Sequence, residues 1–261
     1  MDRVIETWLE ALERRHLADM TMREVGRALG ALSSCYVERR GRLAEGGALS
    51  SAGKRAAFAL FYGPQHLLVT RLIVDALSDA RGVTEGITEI VDLGCGTGAA
   101  GVGWALASGA RSIRGIDRHP WAVAEASWTY RQFHLSGRAT RANLASLALG
   151  RSQREVLAAR PGIGILAAYA VNELAPDERA ALLPTLLEGR RRGARVLVIE
   201  PIARRLAGLS TWWKDWQAAA EADGGRADEW RFPAALPPTQ LALARSAGLD
   251  PRELTARSLL F

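Results

Sequence analysis

The chemistry of this 261-residue chain gathers first in one stretch, Asp92-Leu93-Gly94-Cys95-Gly96-Thr97-Gly98-Ala99-Ala100-Gly101, entered through Ile90-Val91. Two β-branched residues run into a carboxylate, then a glycine stands at every second position, then small residues suit a helix start. This reads as a buried strand, a tight loop and a helix N-terminus. Glycine accepts positive φ and lets a ligand approach the main chain closely. The helix end adds unpaired N–H groups and a partial positive charge. Such a loop is built to hold a nucleotide-like ligand. Gly96-Thr97-Gly98-Ala99-Ala100-Gly101 also fits a dinucleotide fingerprint, with Asp117 at the spacing of a ribose-binding acid.

The loop needs a sheet to hold it. From about residue 83 the pattern alternates: strands over 87–93, 112–117, 138–144, 162–170 and 194–199, with helices over 99–108, 120–133 and 176–189 between them. That alternation implies right-handed crossovers and a parallel sheet covered on both faces. Further on, Trp212, Trp213 and Trp216 fall on one helix, followed by a strand over 227–232, a helix over 239–247 and a final strand over 253–261.

Residues 1–80 read as helical. Val4, Ile5, Trp8, Leu9, Leu12 and Leu17 follow a helix stripe, and Thr21-Met22-Arg23-Glu24 fits a capping box opening a second helix to about Arg40. A loop is expected over 41–53. A helix then begins at Lys54, is expected to kink or break at Gly63-Pro64, and resumes over 65–77. The organisation expected is a helical segment over 1–82, acting as a substrate-selecting cap, and a ligand-binding domain over 83–261.

An apolar fraction of 48% and a charged fraction of 24% are those of an ordinary globular protein. No apolar run is seen to reach the length of a membrane span, and the charged start is not a signal peptide, so no membrane partner and a cytoplasmic location are expected. Cys35 and Cys95 offer no disulfide framework and are expected to be reduced thiols. Four scattered histidines show no metal-ligand spacing, so no metal site is expected. The net charge of +6 rests almost wholly on arginine, lysine occurring only at 54 and 214, and adds a modest pull toward an RNA partner.

The wider motif Asp92-Leu93-Gly94-Cys95-Gly96-Thr97-Gly98 resembles the first motif of class I S-adenosylmethionine-dependent methyltransferases. Gly115-Ile116-Asp117 looks like that family's ribose-binding acid, and Asn143-Leu144 stands where it often has an acid near the adenine amine. Tyr169-Ala170-Val171-Asn172-Glu173-Leu174 looks like its fourth motif, near the transferred methyl. The resemblance implies an α/β Rossmann-like fold, a mostly parallel seven-stranded sheet with helices on both faces, and S-adenosyl-L-methionine as cofactor. It places Asp92, Gly94, Cys95, Gly96, Gly98, Asp117, Arg118, Asn143, Leu144, Tyr169 and Tyr62 around that cofactor. Tyr169, Asn172 and Glu173 become candidates for work on the acceptor. A nicotinamide enzyme is the competing reading, but the chain lacks an evident Tyr-x-x-x-Lys dyad or zinc cluster.

The pairing of 167–174 with Val196-Leu197-Val198-Ile199-Glu200-Pro201 is similar to the small-ribosomal-subunit methyltransferase-like family, known from mitochondrial ribosome assembly and with bacterial relatives. Leu32-Ser33-Ser34-Cys35-Tyr36 and residues 57–64 look like its helical N-terminal part. That resemblance implies ribosomal RNA or a small ribosomal subunit as partner. Unlike longer members, the chain has no cysteine after Cys95, so no iron–sulfur centre is implied. A small-molecule methyltransferase and an assembly factor that holds the cofactor without turnover are the alternatives.

Several residues carry a second reading. Asn172 and Glu173 fit a cap on the following helix as well as a substrate role. Tyr62 and His66 suit core packing or a cover over the cofactor. The three tryptophans suit burial or stacking on a substrate. Arg204 and Arg205 stand where they would meet a phosphate, whereas Arg190, Arg191 and Arg192 suit a helix C-terminus.

Overall fold

The computed structural model describes residues 2–38, 49–78, 83–144, 159–202 and 209–261, with 35–38 and 209–211 described by main chain alone. The chain opens with helices α1 (Arg3–His16), α2 (Met22–Glu38) and α3 (Ala52–Ala57), a π-helical turn (Phe58–Tyr62) and α4 (Gly63–Ala76). Then come β1 (Glu89–Leu93), α5 (Ala99–Ser108), β2 (Ser112–Asp117), α6 (Pro120–Gln132), β3 (Ser136–Arg141) and β4 (Ile163–Ala168). A 3₁₀ turn (Val171–Glu173), α7 (Pro176–Arg191), β5 (Arg195–Glu200), α8 (Leu209–Ala222), β6 (Arg226–Pro233), α9 (Pro238–Ser246) and β7 (Glu253–Leu260) complete it.

The chain divides into two compact units: Met1–His66 with Phe232–Leu254, and Leu67–Arg231 with Thr255–Phe261. This differs from a division at residue 82. Residues 232–254 join the N-terminal helices because their polar side chains are used there. Thr239 hydrogen-bonds Glu13, and the buried Gln240 donates to the Leu60 carbonyl at 2.8 Å.

Within this first unit, Ile5, Trp8, Leu9 and Leu12 form the buried stripe of α1. The capping box closes as expected: Glu24 accepts from the Thr21 N–H at 2.8 Å, and Thr21 Oγ1 accepts from the Glu24 N–H at 3.3 Å. The helix does not break at Gly63-Pro64. Pro64 has no N–H for the Leu60 carbonyl four residues back, and its ring crowds that carbonyl. The chain answers by widening one turn, the Gly63 N–H bonding Phe58 O five residues back, while Gln240 supplies the missing donor to Leu60.

The resulting run, Ala52–Ala76, is 25 residues long and by length and composition apolar enough to cross a membrane. That corrects the expectation that no stretch reaches such a length. Its apolar residues serve a protein core: Ala57, Leu60, Leu67, Ile73 and Val74 are all fully buried.

In the second unit seven strands form one sheet in the order β3-β2-β1-β4-β5-β7-β6. Pairings from β3 through β5 are parallel, and β7 runs antiparallel to β5. β1 and β4 are almost wholly buried, as a sheet covered on both faces requires. The third strand lies at Ser136–Arg141 rather than over 138–144; it is the polar edge, where burial leaves little sequence signal. Leu182 and Leu186 of α7 pack on Ile165, Val196 and Val198 together with Trp212, Trp213 and Trp216 of α8. The tryptophans touch edge to face, with centroids 5.6 Å (Trp212–Trp213) and 5.5 Å (Trp212–Trp216) apart. Burial is therefore their role, and the substrate-stacking alternative falls.

Candidate functional site

The strand order reverses between β1 and β4, and an open α/β sheet binds its ligand in the crevice beyond the carboxyl ends of the strands at such a point. The loop after β1 and the turn after β4 form its two sides. Gly94, Gly96 and Gly98 all have positive φ, at 70°, 51° and 76°. Gly94 also sits where a Cβ would stand 2.5 Å from Ala170 Cβ and 3.4 Å from Leu144 Cδ1. A side chain there would fill the space between the loop, the end of β4 and the segment after β3.

Two carboxylates shape the loop. Asp92, at 1% exposure, accepts the Gly101 N–H at 3.2 Å and so caps α5 from within. This contact needs glycine, because a Cβ on residue 101 would lie 2.6 Å from Asp92 Oδ2. Burial pushes the Asp92 carboxyl up to about 7, with the Gly101 N–H opposing and Asp117 adding to the rise. Asp117 ends β2 half-buried. Its Oδ2 accepts the Gly96 N–H at 2.9 Å and its Oδ1 the His119 N–H at 2.8 Å. Each carboxylate oxygen keeps a further lone-pair site for a ligand hydroxyl. His119 in turn caps α6, accepting the Trp121 N–H at 3.2 Å.

The remaining expected residues fall into three groups. Arg118 and Asn143 are exposed and Leu144 buried, beside the ends of β2 and β3; the Ala142 N–H reaches Asp117 O at 3.0 Å, and the Arg118 carbonyl accepts from Arg141 Nε at 3.1 Å. Cys95 is buried and free, its thiol pushed well up by burial, so it stays protonated. Tyr62 belongs to the first unit, where it meets Phe58, Phe61 and His66 at centroid distances of 5.9, 5.3 and 6.1 Å. Burial there holds His66 down at about 3, so that ring is neutral. Arg204 and Arg205, the loop over 41–48 and the Cys35 side chain lie outside the described residues.

The turn after β4 is where the sequence was least explicit. Tyr169 takes the left-handed region at φ 58°, a cost of roughly 1–2 kcal/mol for a side-chain-bearing residue. Its N–H is held by Ile199 O at 2.7 Å. Its phenol, pushed up by burial and then by Glu200, remains a donor rather than a base. Neither Asn172 nor Glu173 caps α7: the helix begins after Ala175, whose N–H is taken by Glu178 at 2.8 Å. Asn172 turns to Glu200 instead, its main-chain N–H reaching Oε1 at 3.0 Å and its Nδ2 reaching Oε2.

Glu200 and Arg257 are the residues that sequence reasoning missed. The signal for Glu200 was a carboxylate closing the apolar run Val196-Leu197-Val198-Ile199. Burial pushes its carboxyl up to about 8 against the Asn172 bonds and the charge of Arg257. Arg257 pairs with Glu200 in the β5–β7 register and lies 4.0 Å over the Trp213 ring. Nothing in the sequence announced Arg257, since antiparallel register across 57 residues is not a local property.

No family model and no curated protein sequence matches the chain. Solved structures do. The plantazolicin methyltransferase BpumL, described in complex with a monoazolic desmethylPZN analog and SAH, is 12% identical; the alignment covers 99% of each chain with a TM-score of 0.50. The fold is that of class I methyltransferases. The methyltransferase domain of bacterial CtHen1 (13% identity, 75% of this chain and 97% of that one, TM-score 0.48) and a SAM-dependent methyltransferase from Archaeoglobus fulgidus (12%, 73% and 93%, 0.44) are also similar. In the class I fold the crevice between β1 and β4 is the place where the glycine loop, Asp117 and the 169–173 turn meet.

Proposed function

We propose that the chain is an S-adenosyl-L-methionine-dependent methyltransferase. The observation that carries the proposal is the Asp117 carboxylate at the end of β2, which grips the glycine loop at Gly96 while keeping acceptor capacity for a ribose. The residues fit that cofactor: Gly94 leaves open the space that a Cβ would fill, and Leu144 offers an apolar wall beside it. Asn143 would accept from the adenine amine, and the 169–173 turn would border the methionine end. When bound, the cofactor supplies a methyl group already activated by its sulfonium. The chain's own task is then alignment of the acceptor and exclusion of water.

The acceptor we favour is ribosomal RNA within a small-subunit particle. It rests on the paired motifs at 167–174 and 196–201 and on the arginine-borne net charge of +6. Calorimetric titration of the purified chain with S-adenosylmethionine and with NAD tests the cofactor; saturable binding of the first and none of the second is expected. Methyl-labelled cofactor incubated with cell extract, fractionated into RNA, protein and metabolites, tests the acceptor. Label in 16S-type RNA is expected, with retention on that RNA weakening steeply as salt rises. Label confined to metabolites would replace RNA by a small molecule.

A further inference from the structure

Glu200 has no role in the cofactor cradle, yet it is fully buried at the carboxyl end of a central strand. It holds Asn172 twice, once by the main chain and once by the side-chain amide. A carboxamide has one donating and one accepting end. With Nδ2 committed to Glu200, Oδ1 is the end left for a partner, and among the described residues nothing hydrogen-bonds it. Asn172 is itself only half-buried, two residues beyond the Ala170 that abuts Gly94 of the loop.

We propose that Glu200 is a positioning residue that turns the Asn172 carboxamide so that Oδ1 meets the acceptor, and that the acceptor is therefore an amine. This rests on the methyl-transfer reading above. An N–H donated to Oδ1 fixes the amine while its lone pair points away, free for in-line attack. The lone pair forms the new N–C bond as the C–S bond breaks, the sulfur keeps that electron pair, and the proton on nitrogen is released to water. A carboxylate or thiolate would meet an acceptor oxygen with nothing to donate. An alcohol would satisfy Oδ1 but needs a base, and the Tyr169 phenol stays protonated.

The orientation depends on the charge of Glu200. Arg257 faces it from β7, Arg179 from α7, and Glu173 and Tyr169 from the turn after β4. An ionised Glu200 accepts from Nδ2, whereas a protonated one donates and reverses the amide.

The test uses the full chain, methyl-labelled S-adenosylmethionine and cell extract as the acceptor pool. Glu200→Gln preserves shape and one acceptor oxygen but sets an N–H₂ against Asn172 Nδ2, which forces the amide to flip. The expected result is cofactor affinity within about twofold of wild type and a methyl-transfer rate lowered by roughly tenfold or more. The wild-type rate should rise with pH through about 8, and that ionisation should vanish in the variant. Asn172→Ala should lose a similar factor, and the double variant should be no worse than either single one, since the two act as a unit. The label should survive mild base as N-methyl product. Base-labile methyl ester, a thioether product, a Glu200→Gln variant with the wild-type rate and pH profile, or additive losses would overturn this proposal alone. A wild-type chain that binds no S-adenosylmethionine would overturn it together with the methyltransferase reading.

Discussion

Glu200 accepts both the main-chain N–H of Asn172, at 3.0 Å, and its side-chain amide, so one buried carboxyl at the end of β5 ties down the turn that leaves β4. The bond ties the turn after β4 to the end of β5, 28 residues away in sequence, at the carboxyl end of the sheet. It also sets a pH dependence. The Glu200 carboxyl is raised from 4.5 to about 8. An acid raised in the folded state contributes stability that is fully present below its unfolded value and lost as pH rises through the folded one. Wild-type stability should therefore decline between pH 4.5 and 8, and Glu200→Gln should flatten that decline. Chemical denaturation at several pH values measures it; parallel curves for the two proteins would refute it.

Asp92 obeys the same sign over a lower window. Raised from 3.8 to about 7, it should contribute stability below pH 3.8 that is lost as pH rises through 7. Asp92→Asn keeps an acceptor for the Gly101 N–H and removes the ionisation. The variant should match wild type below about pH 3.8 and exceed it by a growing margin as pH rises to 7, reaching about 1 kcal/mol or more, read as denaturant midpoints.

Asp117→Ala removes the acceptor for the Gly96 and His119 N–H groups together with the proposed ribose contact. Charge-assisted hydrogen bonds contribute about 1.5–3 kcal/mol each, so S-adenosylmethionine binding should weaken by about tenfold or more. Asp117→Asn should retain part of it. Calorimetry on both variants decides, and unchanged affinity in Asp117→Ala would remove Asp117 from the site.

Gly94→Ala should lower stability by roughly 1–2 kcal/mol from the left-handed backbone alone, and more if the new methyl group cannot avoid Ala170. If the proposed cofactor site is right, cofactor binding should fall further than stability does, because the same methyl group enters the space between Ala170 and Leu144. Thermal unfolding and titration on one preparation separate the two losses.

Gln240→Leu withdraws the donor that serves the Leu60 carbonyl opposite Pro64. A buried carbonyl left without a partner costs about 1–3 kcal/mol. Adding Pro64→Ala to that variant restores a main-chain N–H at position 64 and should recover part of the loss. A double variant no more stable than Gln240→Leu would show that the Pro64 vacancy is not what Gln240 answers.

Much of the frame was legible along the chain because its causes are local. The run Ile90-Val91-Asp92-Leu93 followed by alternate glycines can hardly be anything but a strand, a loop at positive φ and a helix start, and the structure places them so. The capping box at Thr21 and Glu24 is local in the same way. The expected break at Gly63-Pro64 failed for a non-local reason: the donor that lets the helix continue is Gln240, 180 residues distant. The weak edge strand β3 and the sorting of residues 232–254 into the N-terminal unit had no local marker either.

The candidate site divides along the same line. Residue types and spacing by themselves marked Asp92, Gly94, Gly96, Gly98 and Asp117 as one local constellation, and the structure joins them through the positive-φ loop, the Asp92–Gly101 bond and the Asp117–Gly96 bond. Only the tertiary structure decided what Asn172 does. Whether an asparagine caps a helix or faces a buried acid depends on which strand lies beside it, and the parallel register of β4 on β5 brings Glu200 to it. Burial at that strand end raises the carboxyl to about 8, against the Asn172 hydrogen bonds and the opposing charge of Arg257, which faces it from β7. Register and burial are properties of the folded sheet, and a linear chain does not carry them in any short segment.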